Sequence, residues 1–241
     1  MTIIADSLQA IQANIHAALT SANRKDSGKD SLKDKVQLLA VSKAQSADKL
    51  RSAYLAGQKA FGENYVQEAL NKQQELSDLP IEWHFIGPIQ SNKTQLIAQH
   101  FDWVHSVDRL KIAERLSSAR LASLSPLNVC IQINSSAEAT KSGVNLTETI
   151  ALANAINALA NLKLRGLMAI PAPAKDYDAQ RAQFKIVHDA FKTLQQQGFA
   201  LDTLSIGMSE DYVAAIHEGA TIVRIGSALF GARPPKLIDK F

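Results

Sequence analysis

The sequence has one cysteine, few aromatic residues and no long apolar run, and each absence excludes a class of protein. Cys130 alone cannot form a disulfide within the chain, and its apolar surroundings predict a small buried side chain. No apolar stretch reaches the roughly 18 residues that a membrane-spanning helix needs. The amino-terminal residues lack the basic segment and apolar core of a secretory signal, which favours a cytoplasmic location.

The sequence also has no large excess of positive or negative residues. The 26 Lys and Arg residues and the 23 Asp and Glu residues are spread along the chain and give a net charge of +3. No basic stripe is interleaved with aromatic residues, so we expect no binding to nucleic acid. The histidines and carboxylates show no spacing typical of a metal site, so we expect no bound metal.

What the sequence does contain is a repeated pattern of a short apolar strand, a polar or glycine-containing turn and a helix. Strands that alternate with helices indicate parallel pairing through right-handed crossovers. About eight such units predict an α/β fold, a single (β/α)8 TIM barrel formed by residues 1–241. A doubly wound open sheet is the alternative, but it would place a glycine-rich turn after its first strand. The predicted strands are 36–42, 59–61, 82–86, 103–106, 127–133, 163–168, 203–206 and 222–225.

The first 35 residues are predicted to form an N-terminal helix followed by a mobile charged loop. Apolar residues recur at helical spacing over 6–20, and residues 21–35 are polar and charged. The apolar positions of this helix are Leu8, Ile11, Ile15 and Leu19. A second polar segment, 135–143, is either a solvated turn or a lid.

The stretch 204–231 predicts a binding site for an anion. It contains two short strands, each followed at once by a turn of small residues and a helix. The turns are Gly207-Met208-Ser209 and Gly226-Ser227. The start of a helix has unpaired N–H groups and a partial positive charge, so two neighbouring helix starts predict a phosphate site.

Arg224 lies inside the apolar strand between these two turns. A buried cation is costly unless it has a partner, and a bound ligand is the favoured partner here. A structural ion pair inside the barrel is the alternative.

Lys43 directly follows the first predicted strand, and in a closed barrel the ends of the first and last strands are neighbours. Taken alone, a lysine at a strand end is typical of a side chain that reaches solvent. Apolar walls and a nearby arginine favour the neutral amine, which is the form that makes a Schiff base. Lysine, arginine and a phosphate site together are typical of pyridoxal phosphate. A Schiff-base aldolase that uses Lys43 directly on a sugar phosphate is the cofactor-free alternative.

If Arg224 meets the pyridine nitrogen of that cofactor, it must donate the hydrogen bond, because arginine stays protonated in proteins. The ring nitrogen then carries no proton, and the ring is a weaker electron sink than a pyridinium paired with a carboxylate. Transaminase-type chemistry is therefore disfavoured. His84 and His105 are weaker candidates: His84 is interpreted as a hydrogen-bonded core histidine, and His105 as a pocket acid or base or a simple strand end.

The sequence as a whole resembles the pyridoxal phosphate homeostasis protein family. The resemblance runs in order from the first strand to the end of the chain, and its stretches are jointly very specific. They are LLAVSK at 38–43, FGENYVQEA at 61–69, WHFIGPIQSNK at 83–93, KSGV at 141–144, LRGLMAI at 164–170 and LSIGMSEDYVAAIHEGATIVRIGSALFGAR at 204–233.

This resemblance implies a barrel similar to the N-terminal domain of alanine racemase. It also implies pyridoxal 5'-phosphate held as a Schiff base on Lys43, with Arg224 facing the ring nitrogen. The positions implied to hold the phosphate are Ser209, Gly226 and Ser227. The further pocket positions are Asn64 and Met168.

The resemblance further implies a cofactor carrier for storage or delivery, without established turnover, so no catalytic residue is expected. A racemase needs a base on each face of the cofactor, and related racemases supply one from a second domain and a partner subunit. Only a helix and a short tail follow Ile225, so we expect an open cofactor face and a monomer. The expected partners are pyridoxal phosphate and pyridoxal phosphate-dependent apo-enzymes. A racemase or lyase of low activity that uses pyridoxal phosphate is the alternative.

Overall fold

The structure is a computed structural model that describes residues 3–22, 35–135 and 142–232. Within these residues, eight parallel strands form a closed barrel in which each strand pairs with the next and β8 pairs with β1. The predicted (β/α)8 barrel is confirmed, and the open sheet is excluded. The strands are β1 Gln37–Val41, β2 Ala60–Glu63, β3 Glu82–Phe85, β4 Trp103–Val107, β5 Leu127–Gln132, β6 Leu162–Met168, β7 Thr203–Met208 and β8 Ile222–Ile225. The helices are α1 Ile3–Ser21, α2 Ala47–Leu55, α3 Val66–Glu75, α4 Thr94–His100, α5 Leu110–Ala119, α6 Leu146–Asn157, α7 Tyr177–Gln196, α8 Tyr212–His217 and α9 Ser227–Phe230.

The strand ends differ from the predicted ranges by one or two residues, and β2 shows the physical reason. This strand continues past its apolar residues to Glu63, whose backbone is in register with Phe85 of β3. Glu63 is fully buried and forms an ion pair with Lys72. The strand therefore includes an acidic residue, and a prediction that follows the apolar residues alone stops before it.

The helix that precedes the barrel is α1, slightly longer than the predicted 6–20. It packs against α2, α8 and α9 on the outside of the barrel. Its buried residues are Leu8, Ile11, Ile15 and Ala18. Residues 23–34 of the predicted charged loop and 136–141 of the predicted turn or lid lie outside the described residues.

Apolar side chains fill the space between the strands and the surrounding helices, because alternate residues of each strand point outward to that layer. Phe61, Phe85, Val129 and Leu204 are examples, and each is at most 1% exposed. No helix among the described residues combines the length and the apolar composition needed to cross a membrane.

The inside of the barrel contains polar side chains beside the apolar ones. Trp103, Cys130 and Met168 pack together there. The Trp103 ring is stacked on His84, with 5.4 Å between ring centroids, and the Arg165 guanidinium lies 4.5 Å from the Trp103 ring. Trp103 is the first residue of β4 and Met168 is the last residue of β6, so this packing extends from the amino ends of the strands toward their carboxyl ends.

Phe85→Ala should lower the free energy of unfolding by about 3–5 kcal/mol, because it leaves a cavity between the sheet and the helices. Phe85 is 1% exposed, and its ring meets that of Phe101 edge-on with 5.3 Å between centroids. Urea unfolding followed by circular dichroism measures the change. Leu55→Ala is the control, because Leu55 is 76% exposed and its truncation should cost less than about 0.5 kcal/mol. Equal losses for the two variants would contradict the assigned core.

Candidate functional site

A cavity of about 330 Å³ opens at the carboxyl ends of the strands, where barrels of this kind carry their active sites. It brings together most of the residues that the sequence singled out. The predicted residues that line it are Lys43, Asn64, Ser209, Arg224, Gly226 and Ser227. The other lining residues are Val41, Ile86, Ile170, Pro171, Pro173, Met208, Glu210 and Asp211.

Met168 is the one predicted site residue that does not line this cavity among the described residues. It is fully buried inside the barrel against Trp103 and Cys130. Met168 is the last residue of β6, and the chain reaches the cavity wall two residues later, at Ile170. The structure therefore places Met168 beneath the site rather than on its surface.

Lys43 is positioned by the residues on either side of it. Ser42 is fully buried, and its backbone N–H donates to the Gly62 carbonyl oxygen (3.0 Å) while its Oγ donates to Glu63 Oε1 (2.6 Å). Ala44 has a φ of +59°, in the left-handed region, and its N–H donates to Glu68 Oε1 (2.6 Å). The backbone that carries Lys43 is thus fixed on both sides, and the lysine side chain itself is half-buried.

The group that connects these contacts is the buried ammonium of Lys72 on α3. It donates to the Ser42 carbonyl oxygen (2.7 Å), Glu63 Oε1 (2.7 Å) and Glu68 Oε1 (2.6 Å). Burial raises the pKa of the Glu63 carboxyl, and the attraction of Lys72 opposes that rise. Lys72 was not among the residues predicted from the sequence, although its spacing of four residues from Glu68 on a helix was an available signal.

Asn64 presents a buried acceptor to the cavity. Its Oδ1 atom is shielded from solvent and has no hydrogen-bond partner among the described residues. A Cβ atom at Gly87 would lie 2.3 Å from the Asn64 carbonyl oxygen, so only glycine allows the turn after β3 to approach so closely. This contact fixes the backbone of Asn64 beside the cavity.

The two turns predicted to bind an anion lie on the cavity wall, at the carboxyl ends of the neighbouring strands β7 and β8. The helices that follow have only six and four residues, so no long helix dipole is directed at these turns. Gly226 is close to β1, because an added Cβ would lie 3.1 Å from the Val41 carbonyl oxygen. Asp211 Oδ1 accepts a hydrogen bond from the Met208 N–H (2.6 Å), and burial raises the pKa of the Asp211 carboxyl.

Arg224 is 4% exposed and reaches the cavity from the inside of the barrel. Its Nη1 donates to the Ser205 carbonyl oxygen (2.5 Å) and Oγ (2.9 Å), and its Nη2 donates to the Ala169 carbonyl oxygen (2.9 Å). A guanidinium carries more N–H donors than these three hydrogen bonds use. Burial lowers the pKa of Arg224 to about 10, with the Asp211 charge acting in the opposite direction, so it remains a cation at neutral pH.

The structural alternative for Arg224 was an ion pair inside the barrel. No carboxylate of residues 3–22, 35–135 or 142–232 lies within ion-pair distance of its guanidinium. The cation is held by neutral oxygen atoms instead. It therefore keeps both its charge and unused donors available at the cavity.

His84 and His105 are both fully buried inside the barrel and do not line the cavity. The interpretation of His84 as a hydrogen-bonded core histidine is confirmed, since its ring nitrogens contact His105 and Glu82. Burial is the largest cause that lowers the pKa of His105 well below its usual range, and the neighbouring His84 and Arg224 act in the same direction. In the part of the chain that the structure describes, no three His, Cys, Asp or Glu side chains are grouped to hold a metal ion.

Comparison with known sequences gives one family and several close relatives. The alanine racemase N-terminal domain matches residues 7–234. The chain is 55% identical over 233 residues to the pyridoxal phosphate homeostasis protein of Pseudomonas aeruginosa, covering 97% of each chain. It is 50% identical to the protein of the same name from Escherichia coli K12, covering 97% of this chain and 98% of that relative.

Two solved structures illustrate the likeness in fold. PipY of Synechococcus elongatus, solved with PLP bound, superposes with a TM-score of 0.81 and 36% identity over 95% of this chain and all of that chain. Alanine racemase from Corynebacterium glutamicum superposes with a TM-score of 0.65 and 18% identity, over 91% of this chain and 61% of that one. The second likeness is one of fold alone.

Lys72→Met should lower the free energy of unfolding by about 3–5 kcal/mol, because it leaves Glu63 buried without its counter-charge. Urea unfolding measures the loss. The deficit relative to the unmodified protein should shrink as the pH falls, since Glu63 without Lys72 binds a proton at a higher pH and becomes neutral.

Lys185→Met is the matched control for this change. Lys185 also pairs with a carboxylate four residues along a helix, Asp189, but its side chain is 63% exposed. Its replacement should cost about 0.5 kcal/mol or less. A cost for Lys72→Met as small as this would show that the buried ion pair does not support the segment around Lys43.

Proposed function

Because the chain belongs to the alanine racemase N-terminal domain family and to its pyridoxal phosphate homeostasis branch, we propose that it binds pyridoxal 5'-phosphate for storage or delivery. The observation that carries the proposal is the cavity that places Lys43, Arg224 and two turns of small residues on one wall. A PLP-bound structure of the PipY relative supports the choice of ligand.

The chemistry of the lining residues fits this cofactor. When bound, pyridoxal phosphate supplies an aldehyde carbon that condenses with an amine and releases water. Lys43 offers the amine from a backbone that is fixed on both sides. Asn64 contributes a buried oxygen that lacks a partner among the described residues and could accept a hydrogen bond from a ligand.

Ser209, Gly226 and Ser227 would hold the phosphate. The two serines would supply hydroxyl groups, and the turns would supply backbone N–H groups other than that of Met208, which already donates to Asp211. Gly226 fits closely against Val41, so the phosphate would lie next to the strand that leads to Lys43. Met168 would support the pocket from beneath rather than contact the ligand.

Arg224 would donate a hydrogen bond to the ring nitrogen with an N–H that its contacts to Ser205 and Ala169 do not use. Since arginine does not release its proton, Arg224 would keep that nitrogen unprotonated. The ring would then withdraw electrons weakly, which suits holding the cofactor better than proton abstraction from an amino acid.

The lining residues that the structure describes also bear on the racemase or lyase alternative. Besides Lys43 and the carboxylates of Glu210 and Asp211, they include no tyrosine, histidine or cysteine that would supply a second base on an amino-acid α-carbon. We therefore propose a binder without turnover that acts as a monomer in the cytoplasm and passes its cofactor to pyridoxal phosphate-dependent apo-enzymes. Deuterium exchange at the α-carbon of an added amino acid would favour the enzyme instead.

Lys43→Ala should remove the near-ultraviolet and visible absorbance that pyridoxal phosphate gives on covalent attachment, while the circular dichroism of the fold stays unchanged. Borohydride reduction followed by peptide mass measurement should place the cofactor on the peptide that contains Lys43. Lys93→Ala is the control and should keep the absorbance, because Lys93 does not line the cavity. An adduct found on Lys93 or Lys141 would overturn the assignment and the geometry behind it.

Ser209→Ala should weaken pyridoxal phosphate binding by about 1–2 kcal/mol, or about 5- to 30-fold in Kd, because it removes one hydrogen bond to a charged group. Backbone donors remain, so binding should not be lost. Ser123→Ala, at an exposed serine outside the cavity, is the control. Titration with pyridoxal that lacks the phosphate should show far weaker binding, and equal affinity for the two vitamers would argue against the two turns as a phosphate site.

A further inference from the structure

A series of hydrogen bonds runs through the inside of the barrel from Arg224 to the first residue of β3. Arg224 Nη1 lies 2.9 Å from Ser205 Oγ, and Ser205 Oγ lies 2.8 Å from His105 Nδ1. His105 Nε2 lies 2.9 Å from His84 Nδ1, and His84 Nε2 lies 2.5 Å from Glu82 Oε1. We call these five residues the polar chain.

The polar chain connects the two ends of the barrel. Arg224 lines the cavity at the carboxyl ends of the strands, whereas Glu82 begins β3 at the amino end and has a side chain that is 43% exposed. The members between these two ends are Ser205, His105 and His84, all fully buried.

Both ends of the polar chain fix the direction of its hydrogen bonds. A guanidinium can only donate, so Ser205 Oγ accepts from Arg224. A carboxylate can only accept, so His84 Nε2 carries a proton and donates it to Glu82. With neutral rings, His105 Nε2–H then donates to His84 Nδ1, and the Ser205 hydroxyl donates to His105 Nδ1.

The buried hydroxyl of Ser205 supports this direction independently. Among the described residues, its oxygen is in hydrogen-bond contact with Arg224, which donates to it, and with His105. If His105 carried its proton on Nδ1, the hydroxyl hydrogen would have no acceptor among the described residues. An unmade hydrogen bond in a fully buried position is costly, so the hydroxyl donates to His105.

Neighbouring residues hold the Glu82 end of the polar chain in place. Gln37 Nε2 donates to Glu82 Oε1 (3.2 Å), and the His84 ring is stacked on Trp103 with an angle of 6° between the planes. The stacking leaves the His84 ring little freedom to rotate and reverse the direction of the hydrogen bonds.

We propose that Ser205, His105, His84 and Glu82 are positioning residues that orient Arg224 and set its strength as a hydrogen-bond donor to a bound ring nitrogen. Hydrogen bonds in series polarise one another, and this series ends on the negative charge of Glu82. Glu82 thereby acts on the buried cation at a distance, in place of a contacting carboxylate. The polar chain does not carry protons to the ligand, because arginine does not release its own. The inference rests on the proposed function only for the identity of that ligand.

The direction of the polar chain can be measured without any cofactor. Long-range proton–nitrogen NMR spectra of protein labelled with 15N-histidine distinguish the two ring nitrogens. We expect His84 and His105 both to be neutral, with the proton on Nε2, and the exposed His16 to show an averaged, solvent-like signal. His84→Asn assigns the resonances. A proton on Nδ1 of His105 would overturn the proposal, whether or not the protein binds pyridoxal phosphate.

The effect on the ligand is tested with Glu82→Gln, which keeps the shape and an acceptor oxygen but removes the charge. We expect the absorbance maximum of the bound cofactor to shift and the Kd to rise by about 3- to 10-fold, as for residues coupled in one network. Glu75→Gln, at an exposed position on α3, is the matched control and should change neither. Ser205→Ala, which removes the contact to Arg224, should give a shift in the same direction. Spectra of both variants identical to the control would overturn the proposal.

These outcomes separate this proposal from the proposed function. If the unmodified protein binds no pyridoxal phosphate, the proposed function fails, and the NMR result still decides whether the polar chain exists as described. If the protein binds the cofactor and the Glu82→Gln spectrum is unchanged, the polar chain has only a structural role.

Discussion

The hydrogen bonding between β8 and β1 is the contact on which the candidate site depends. It closes the sheet and sets Leu39 opposite Arg224 and Ala40 opposite Ile225. Lys43 therefore emerges beside the turn that follows β8, although the two segments are far apart in the sequence. A shift of one residue in this register would turn Arg224 out of the barrel, because neighbouring residues of a strand point to opposite faces.

The barrel could be predicted from the sequence, and most of the predicted site residues do line the cavity, because both follow from the order of strands and turns. Lys43, Ser209 and Arg224 were found since each follows or interrupts an apolar strand, where a polar residue is conspicuous. Lys72 was missed because a lysine on an amphipathic helix normally faces solvent, and only the three-dimensional structure shows that it is buried against Glu63. Met168 was placed in the pocket by resemblance, and the depth of a side chain inside a barrel cannot be derived from a linear pattern.

The polar side chains inside the barrel occupy positions that aliphatic side chains could fill without loss of stability. Aliphatic side chains in place of His84, His105 and Ser205 would fill the same space without buried polar atoms and would cost the fold little or nothing. A fully satisfied polar network does something that aliphatic packing cannot, because it defines one orientation for each of its members. The position of Arg224 is therefore determined from within the barrel as well as from the cavity.

Cys130 has a consequence for a protein that holds a reactive aldehyde. Thiolates add readily to carbonyl carbons and would compete with an amine for the same cofactor. The one thiol of this sequence is fully buried inside the barrel, and burial raises its pKa to about 12, so almost none of it is ionised at neutral pH. For the proposed ligand, Lys43 is therefore the amine at the cavity, and the buried thiol does not compete with it for the aldehyde.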